Sequence, residues 1–233
     1  MDIERYSAIG PQYYKLEIPA LLKQYLVNES YSSFLDCGCG DGSLINALVT
    51  GGYLDGKEVH AIDLSINRID LVRQISKSIT ANVDSAEILS TVRDESIDFL
   101  VSTQVIEHVD QDRMLSAISK VTKKGSTIYL STVYKKEYGW YFHKNKVGKW
   151  VIDPTHIIEY EKDNELFDSI DRSKFEILEN MKTQLSFPLT DFFVKRMRIK
   201  NRSLYNNRIL KILRNIEVPI PGYYNWEIVL RRL

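Results

Sequence analysis

One stretch constrains this chain more than any other: Phe34-Leu35-Asp36-Cys37-Gly38-Cys39-Gly40-Asp41-Gly42-Ser43. Strand character over Ser33 to Cys37 ends directly in three glycines spaced Gly38-x-Gly40-x-Gly42, and helical character starts at Ser43. Glycines let the backbone turn tightly and come close to a ligand. The N-terminus of the following helix adds free N–H groups and positive dipole character. Asp63 closes the next strand, about twenty residues beyond the last glycine, where a carboxylate can accept hydrogen bonds from two ribose hydroxyls.

The rest of the chain alternates strand and helix, which predicts a largely parallel sheet with helices on both faces. Ile18, Leu21, Leu22, Tyr25 and Leu26 lie at helical spacing, with Pro19 suited to a first turn. Ser43 to Val49 reads as a helix stopped by Gly51 and Gly52, and Glu58 to Asp63 as a strand. Ser65 can cap a helix carrying Ile66, Ile69, Val72 and Ile75. Ala86 to Leu89 reads as a short strand and Ile97 to Thr103 as a buried one. Asp110 can cap a helix with Met114, Leu115, Ile118 and Val121 inward, closed by Gly125, and Thr127 to Val133 reads as another buried strand.

After Val133 the alternation breaks: Tyr134 to Pro154 is aromatic, basic and irregular, a length of loop that points to binding or mobility. Asn164 to Ile170 reads as helix, Phe175 to Lys182 as strand and Gly222 to Leu230 as a last strand, the final two forming an antiparallel pair. The expected architecture is α/β: a Rossmann-like three-layer sandwich, its seven-stranded sheet mostly parallel with an antiparallel final strand. Residues 1–233 then form a single domain, with a covering loop over about 134–160 and a basic helical insertion over about 183–221.

Composition narrows the partners. Lys plus Arg and Asp plus Glu both number 31, so global charge gives nucleic acid no support. Two cysteines, Cys37 and Cys39, make a poor staple and no zinc set; they suit a reducing, cytoplasmic setting, and small side chains at a tight loop read as packing. Met1 to Gly10 lacks the apolar core of a signal peptide, and no apolar run of about eighteen residues occurs.

Two cofactor classes use this layout. Nicotinamide-binding loops usually read G-x-G-x-x-G, whereas Ser43 stands at the third glycine's position here. Asp36 precedes the loop; its charge repels a pyrophosphate and attracts a sulfonium or an amino group. The contrast favours S-adenosylmethionine. The alternatives are a nicotinamide-dependent oxidoreductase and a non-catalytic scaffold that keeps the fold.

Three segments, Asp36-Cys-Gly-Cys-Gly-Asp-Gly42, Ala61-Ile-Asp-Leu-Ser65 and Ser96-Ile-Asp-Phe-Leu-Val-Ser-Thr-Gln-Val-Ile-Glu-His-Val109, together resemble the class I methyltransferases. Within them the chain is similar to the methyltransferase type 11 group, which includes ubiquinone-biosynthesis O-methyltransferases, over about residues 15–182. The resemblance implies roles. Gly38, Gly40 and the backbone at Cys37 and Cys39 would line the methionine part of the cofactor, with Asp36 orienting its amino group or the loop. Asp63 would hold the ribose and Leu64 the adenine face. Asp84, with Ser85 beside it, would meet the adenine amino group, although Ala81-Asn82-Val83 departs from the group's pattern. Gln104 would sit near the methyl-donor end.

Methyl transfer needs an aligned nucleophile and, for a hydroxyl acceptor, a base. His108 follows the fourth strand on the ligand-binding edge, and His156 lies in Asp153-Pro-Thr-His-Ile-Ile-Glu-Tyr160; these are the candidate catalytic groups, each with a structural alternative. His60 reads as core, and Glu107 as a helix-start acid. His156 and Glu159 lack a clear third ligand in sequence, so no metal is expected. Tyr134, Tyr138, Trp140, Tyr141, Phe142 and Trp150 read equally as an acceptor-stacking lid or as packing.

Lys195, Arg196, Arg198, Lys200, Arg202, Arg208, Lys211 and Arg214 accompany an apolar stripe of Ile209, Ile212, Leu213 and Ile216. That pattern fits a surface for an anionic ligand, an anionic membrane or a nucleic acid, or else a solvated cap. The position after the fourth strand reads Ser102-Thr103-Gln104-Val105, unlike the Asn-Pro-Pro-Tyr-like tetrapeptide of amino-methylating nucleic-acid enzymes. The expected acceptor is a small molecule or a lipid- or sugar-linked one, methylated on O or N.

Overall fold

The computed structural model describes residues 17–145, 148–190 and 216–233. In chain order these form α1 (Ala20–Asn28), β1 (Ser33–Cys37), α2 (Ser43–Thr50), β2 (Glu58–Asp63), α3 (Ile66–Ile75), β3 (Ile79–Val83) and β4 (Ile97–Thr103). A short 3₁₀ turn (Ile106–His108) leads to α4 (Gln111–Val121), β5 (Thr122–Lys135), β6 (His143–Lys144), β7 (Trp150–Val151), α5 (Asn164–Phe167), β8 (Phe175–Pro188) and β9 (Glu217–Arg232). Seven strands make one sheet in the order β3-β2-β1-β4-β5-β9-β8, and β6 and β7 form a separate hairpin.

Strands β1 to β5 run parallel, and β9 pairs antiparallel with both β5 and β8. The order changes direction at β1 and β4, so the crevice at their carboxyl ends is where an open α/β sheet takes ligands. The sheet's two faces carry separate apolar layers. One contains Leu35, Ile62, Leu100, Ile118 and Trp226; the other contains Leu22, Phe34, Ile45, Ile69 and Phe99. β1 is buried along its whole length, as a central parallel strand covered on both faces requires.

The helix starts follow the expected chemistry. Ser65 Oγ accepts from the Arg68 N–H, and Asp110 Oδ1 accepts from the N–H groups of Asp112 and Arg113. Several expectations are corrected. The third strand is Ile79–Val83, not Ala86–Leu89; residues 85–92 are turns tied to Asp84. Gly125 does not close α4, which ends at Val121; it lies at φ +79° inside β5, which begins at Thr122. β8 and β9 extend well beyond their expected ends, to Pro188 and from Glu217, so both flanks of the expected insertion at 183–221 are sheet. Its basic residues from Lys195 to Arg214 lie outside the described residues. Among the described residues no helix is long and apolar enough to cross a membrane.

Candidate active site

Every glycine of the β1–α2 turn has positive φ: Gly38 +81°, Gly40 +54° and Gly42 +80°. This is left-handed backbone that glycine adopts without Cβ strain. The turn is held against the neighbouring strand, with the N–H groups of Gly38 and Cys39 both donating to the Ile62 carbonyl at 2.9 and 2.8 Å. Asp63 completes the clamp. Its Oδ2 accepts from the Gly40 N–H at 3.0 Å and its Oδ1 from the Ser65 N–H at 2.9 Å. One carboxylate thus joins the glycine turn to the start of α3.

A cavity of about 600 Å³ opens at this edge, within the range of cofactor sites. At one end lie Asp63, Leu64, Asp84 and Ala86; in the middle Gly38, Cys39, Gly40 and Asp41; at the other end Gln104, Val105, His108, Ser131, Leu185 and Asn225. Of the residues expected to hold a cofactor, Gly38, Cys39, Gly40, Asp63, Leu64, Asp84 and Gln104 therefore line one continuous space. Asp36, Cys37 and Ser85 are not in its wall. Cys37 is buried in the sheet, and burial pushes both cysteine thiols up, which keeps them unreactive.

Asp84 departs from the role the resemblance implies. Its Oδ1 accepts from Ser85 N–H and Ser90 Oγ–H, and its Oδ2 from Thr91 N–H and Thr91 Oγ1–H, at 2.6–3.1 Å. Four bonds fill the accepting capacity of a carboxylate. Asp84 shapes the turn that walls the cavity.

Asp36 is the outlying charge. It is buried, neither carboxylate oxygen has a hydrogen-bond partner among the described residues, and burial together with the negative charge of Asp63 raises its pKa to about 7. The folded apoprotein thus holds a proton that the unfolded chain releases near pH 3.8. Stability from this group is complete below pH 4 and is lost as pH rises through 7. Asp36→Asn is therefore expected to flatten the fall in stability between pH 4 and 7, measured by chemical denaturation at stepped pH. An unchanged slope would rule out this assignment.

His108 stands in the cavity wall and His156 packs behind it, the two rings edge to face at 4.7 Å. His108 Nδ1 lies 3.4 Å from the Thr155 carbonyl oxygen and 3.3 Å from Thr155 Oγ1, which gives its own hydrogen to Asp153 Oδ1; both neighbours accept, which favours the hydrogen on Nδ1 and the lone pair on Nε2. Burial, with His156 beside it, holds the His108 pKa below its usual value, so the ring is neutral near pH 7. His156 donates from Nδ1 to Glu159 Oε1 at 2.9 Å, and Glu159 also accepts from the Ile152 N–H and the Tyr223 hydroxyl. That network fixes the covering segment against the sheet.

Glu107 was read as a helix-start acid; the structure buries it fully, with Oε2 accepting from Thr132 Oγ1–H. Glu107, His108 and His156 each bring one ligand-type atom within 4.8 Å of the others. In sequence His156 has Glu159 near it; Glu107 and His108 stand about fifty residues away and meet His156 only through the fold. The aromatic loop resolves partly into packing. Tyr141 is buried with Val133, Phe187 and Tyr223, while Tyr138 and Trp140 are exposed. His60 is only half-buried and bonds Glu58 through Nε2.

Sheet order, glycine turn and clamping carboxylate together define a Rossmann-like nucleotide-binding domain. Residues 35–130 match the family model described as a methyltransferase domain. A ubiquinone biosynthesis O-methyltransferase of Brucella ovis is 31% identical over 134 residues, 55% of this chain and 52% of the relative. A protein of the same description from Rickettsia bellii is 29% identical over 167 residues, 68% of this chain and 67% of the relative. The chain thus spans about half to two thirds of the length of these curated relatives. Among solved structures, geranyl diphosphate C-methyltransferase from Streptomyces coelicolor A3(2), in complex with Mg²⁺, geranyl diphosphate and S-adenosyl-L-homocysteine, superposes with TM-score 0.61 at 11% identity. The match covers 99% of this chain and 97% of that one, a likeness of fold.

Proposed function

We propose that the protein is an S-adenosylmethionine-dependent methyltransferase acting on a hydroxyl of a small-molecule or lipid-linked acceptor. One observation carries this reading: a single cavity runs from the clamping carboxylate of Asp63, past the glycine turn, to a neutral imidazole at His108. The residues fit the cofactor. The carboxylates of Asp41 and Asp63 in the cavity wall make the turn hospitable to a molecule carrying a sulfonium and an ammonium and hostile to a pyrophosphate. Nothing observed favours the nicotinamide reading. Bound, the cofactor supplies an electrophilic methyl group. The chain holds the ribose at Asp63, shields the site with the cover over residues 150–160, and offers His108 Nε2 to take the acceptor's proton. The relatives' description as O-methyltransferases supports oxygen as the acceptor atom. The two free, buried thiols support a cytoplasmic setting.

The test combines calorimetry with S-adenosylhomocysteine and transfer from labelled S-adenosylmethionine into the small molecules of a cell extract. We expect saturable binding and labelled product. His108→Ala should leave the calorimetric affinity within about twofold and lower transfer at least tenfold. His156→Ala should also spare donor binding. No saturable binding to folded protein would overturn the cofactor assignment, and binding without any transfer would favour the scaffold reading.

A further inference from the structure

At the far end of the cavity a polar chain runs from Gln104 through Asn225 to Glu227. Gln104 follows β4 directly, and its φ of +55° is a left-handed conformation uncommon for a side chain of this kind. Its N–H is pinned to the Ser131 carbonyl at 2.8 Å, so the strain is imposed by the sheet. Strain held in this way concentrates where a ligand is gripped. Gln104 Nε2 donates to Asn225 Oδ1 at 3.1 Å, and Asn225 Nδ2 donates to Glu227 Oε1 at 2.8 Å. Gln104, Asn225 and Ser131 all line the cavity; Glu227, paired with Ser131 across the β5–β9 ladder, is 4% exposed.

A buried carboxylate in a strand is uncommon, because its desolvation is costly unless it is engaged. Here it sets a direction. Burial raises the Glu227 pKa, and its Oε1 accepts from Asn225 Nδ2, so the amide nitrogen of Asn225 is turned toward Glu227. The Asn225 oxygen then faces Gln104, which must turn its own nitrogen to Asn225. The Gln104 amide oxygen is left over at the cavity end.

We propose that Glu227, acting through Asn225, fixes Gln104 as a hydrogen-bond acceptor in the acceptor subsite, so that the subsite selects a ligand group that donates a hydrogen, a free hydroxyl, over its methyl ether. This rests on the methyltransferase reading and adds to it the discrimination of acceptor from product. The hydroxyl's single hydrogen points to Gln104 Oε1 in the resting complex and must turn to His108 Nε2 for transfer; once methylated, the oxygen no longer donates, and the contact that held the acceptor is lost. Glu227 and Asn225 are positioning residues; Gln104 makes the contact.

The test uses the full chain saturated with S-adenosylhomocysteine and two probes of similar shape, phenol and anisole, titrated by ligand-observed NMR. We expect phenol to bind at least tenfold more tightly than anisole. In Glu227→Gln, whose amide can serve either direction, and in Asn225→Leu, which breaks the chain, the ratio should fall below threefold. Calorimetric affinity for S-adenosylhomocysteine should be unchanged in both variants. Equal binding of the two probes to the unsubstituted protein, binding of neither up to solubility, or an undiminished ratio in both variants would overturn the proposal. Failure of S-adenosylhomocysteine to bind the unsubstituted protein would instead bring down the cofactor reading, and is recognised before either probe is added.

Discussion

Asp63→Ala is expected to weaken S-adenosylhomocysteine binding by roughly 10²–10³-fold, because two charge-assisted hydrogen bonds to a ribose contribute about 3–4 kcal/mol together. The structure adds a second route to the same loss. Asp63 already accepts from the Gly40 and Ser65 N–H groups, one on each side of the cofactor space. Without the carboxylate, the turn loses its tie to α3 and the Gly40 backbone is free to move. Asp63→Asn separates the two contributions. Its amide oxygen can still accept one of these bonds, while its nitrogen cannot accept any, so an intermediate loss is expected. Calorimetry gives the affinity, and a thermal melt on the same sample shows that the fold survives. Affinity for Asp63→Ala within threefold of the unsubstituted protein would mean that the ribose is held elsewhere.

The half of this cavity formed by the glycine turn was legible because it is written locally. Gly38, Gly40 and Asp63 sit at spacings set by one strand, one turn and the next strand, and that geometry leaves few alternatives. The other half of the cavity is not local. Asn225 and Leu185 reach the cavity from β9 and β8, more than eighty residues along the chain from Gln104, and their neighbourhood exists only once β9 inserts between β5 and β8. No periodicity marks a single asparagine in a strand as a wall of a site. Asp84 shows the opposite failure. Its position after β3 was readable, but its role was not, because Ser90 and Thr91 fold back and occupy its oxygens.

The same reasoning separates His108 from His156. Both lie near the carboxyl edge in sequence terms, and both invite a catalytic reading. The 3₁₀ turn at Ile106–His108 carries His108 to the cavity, whereas the i,i+3 contact with Glu159 turns His156 into the covering segment. A carboxylate three residues away was visible in the sequence. That it would fasten the cover depended on Ile152 and Tyr223 bonding the same group.

Gly38→Ala tests how tightly the turn is built into the sheet edge. At φ +81° an alanine is strained, at about 1–2 kcal/mol. Its Cβ would also stand 2.4 Å from Val105 Cγ2, closer than two carbons can approach, so Val105, just past the end of β4, must shift. Overpacking of that kind costs about 1–3 kcal/mol. Together the two effects predict a loss of about 3 kcal/mol in unfolding free energy, or roughly 6–12 °C in melting temperature for a chain of this size. The second site makes the argument specific. Val105→Ala removes the methyl groups that the new Cβ meets, so in the Gly38→Ala background it should return about 1–2 kcal/mol, although alone it destabilises. The backbone strain, which depends on φ and not on the neighbour, should persist in the double variant. A double-variant loss equal to the sum of the two single losses would show that Gly38 and Val105 do not press on one another. The wall between the glycine turn and His108 would then be looser than the contact at Val105 requires.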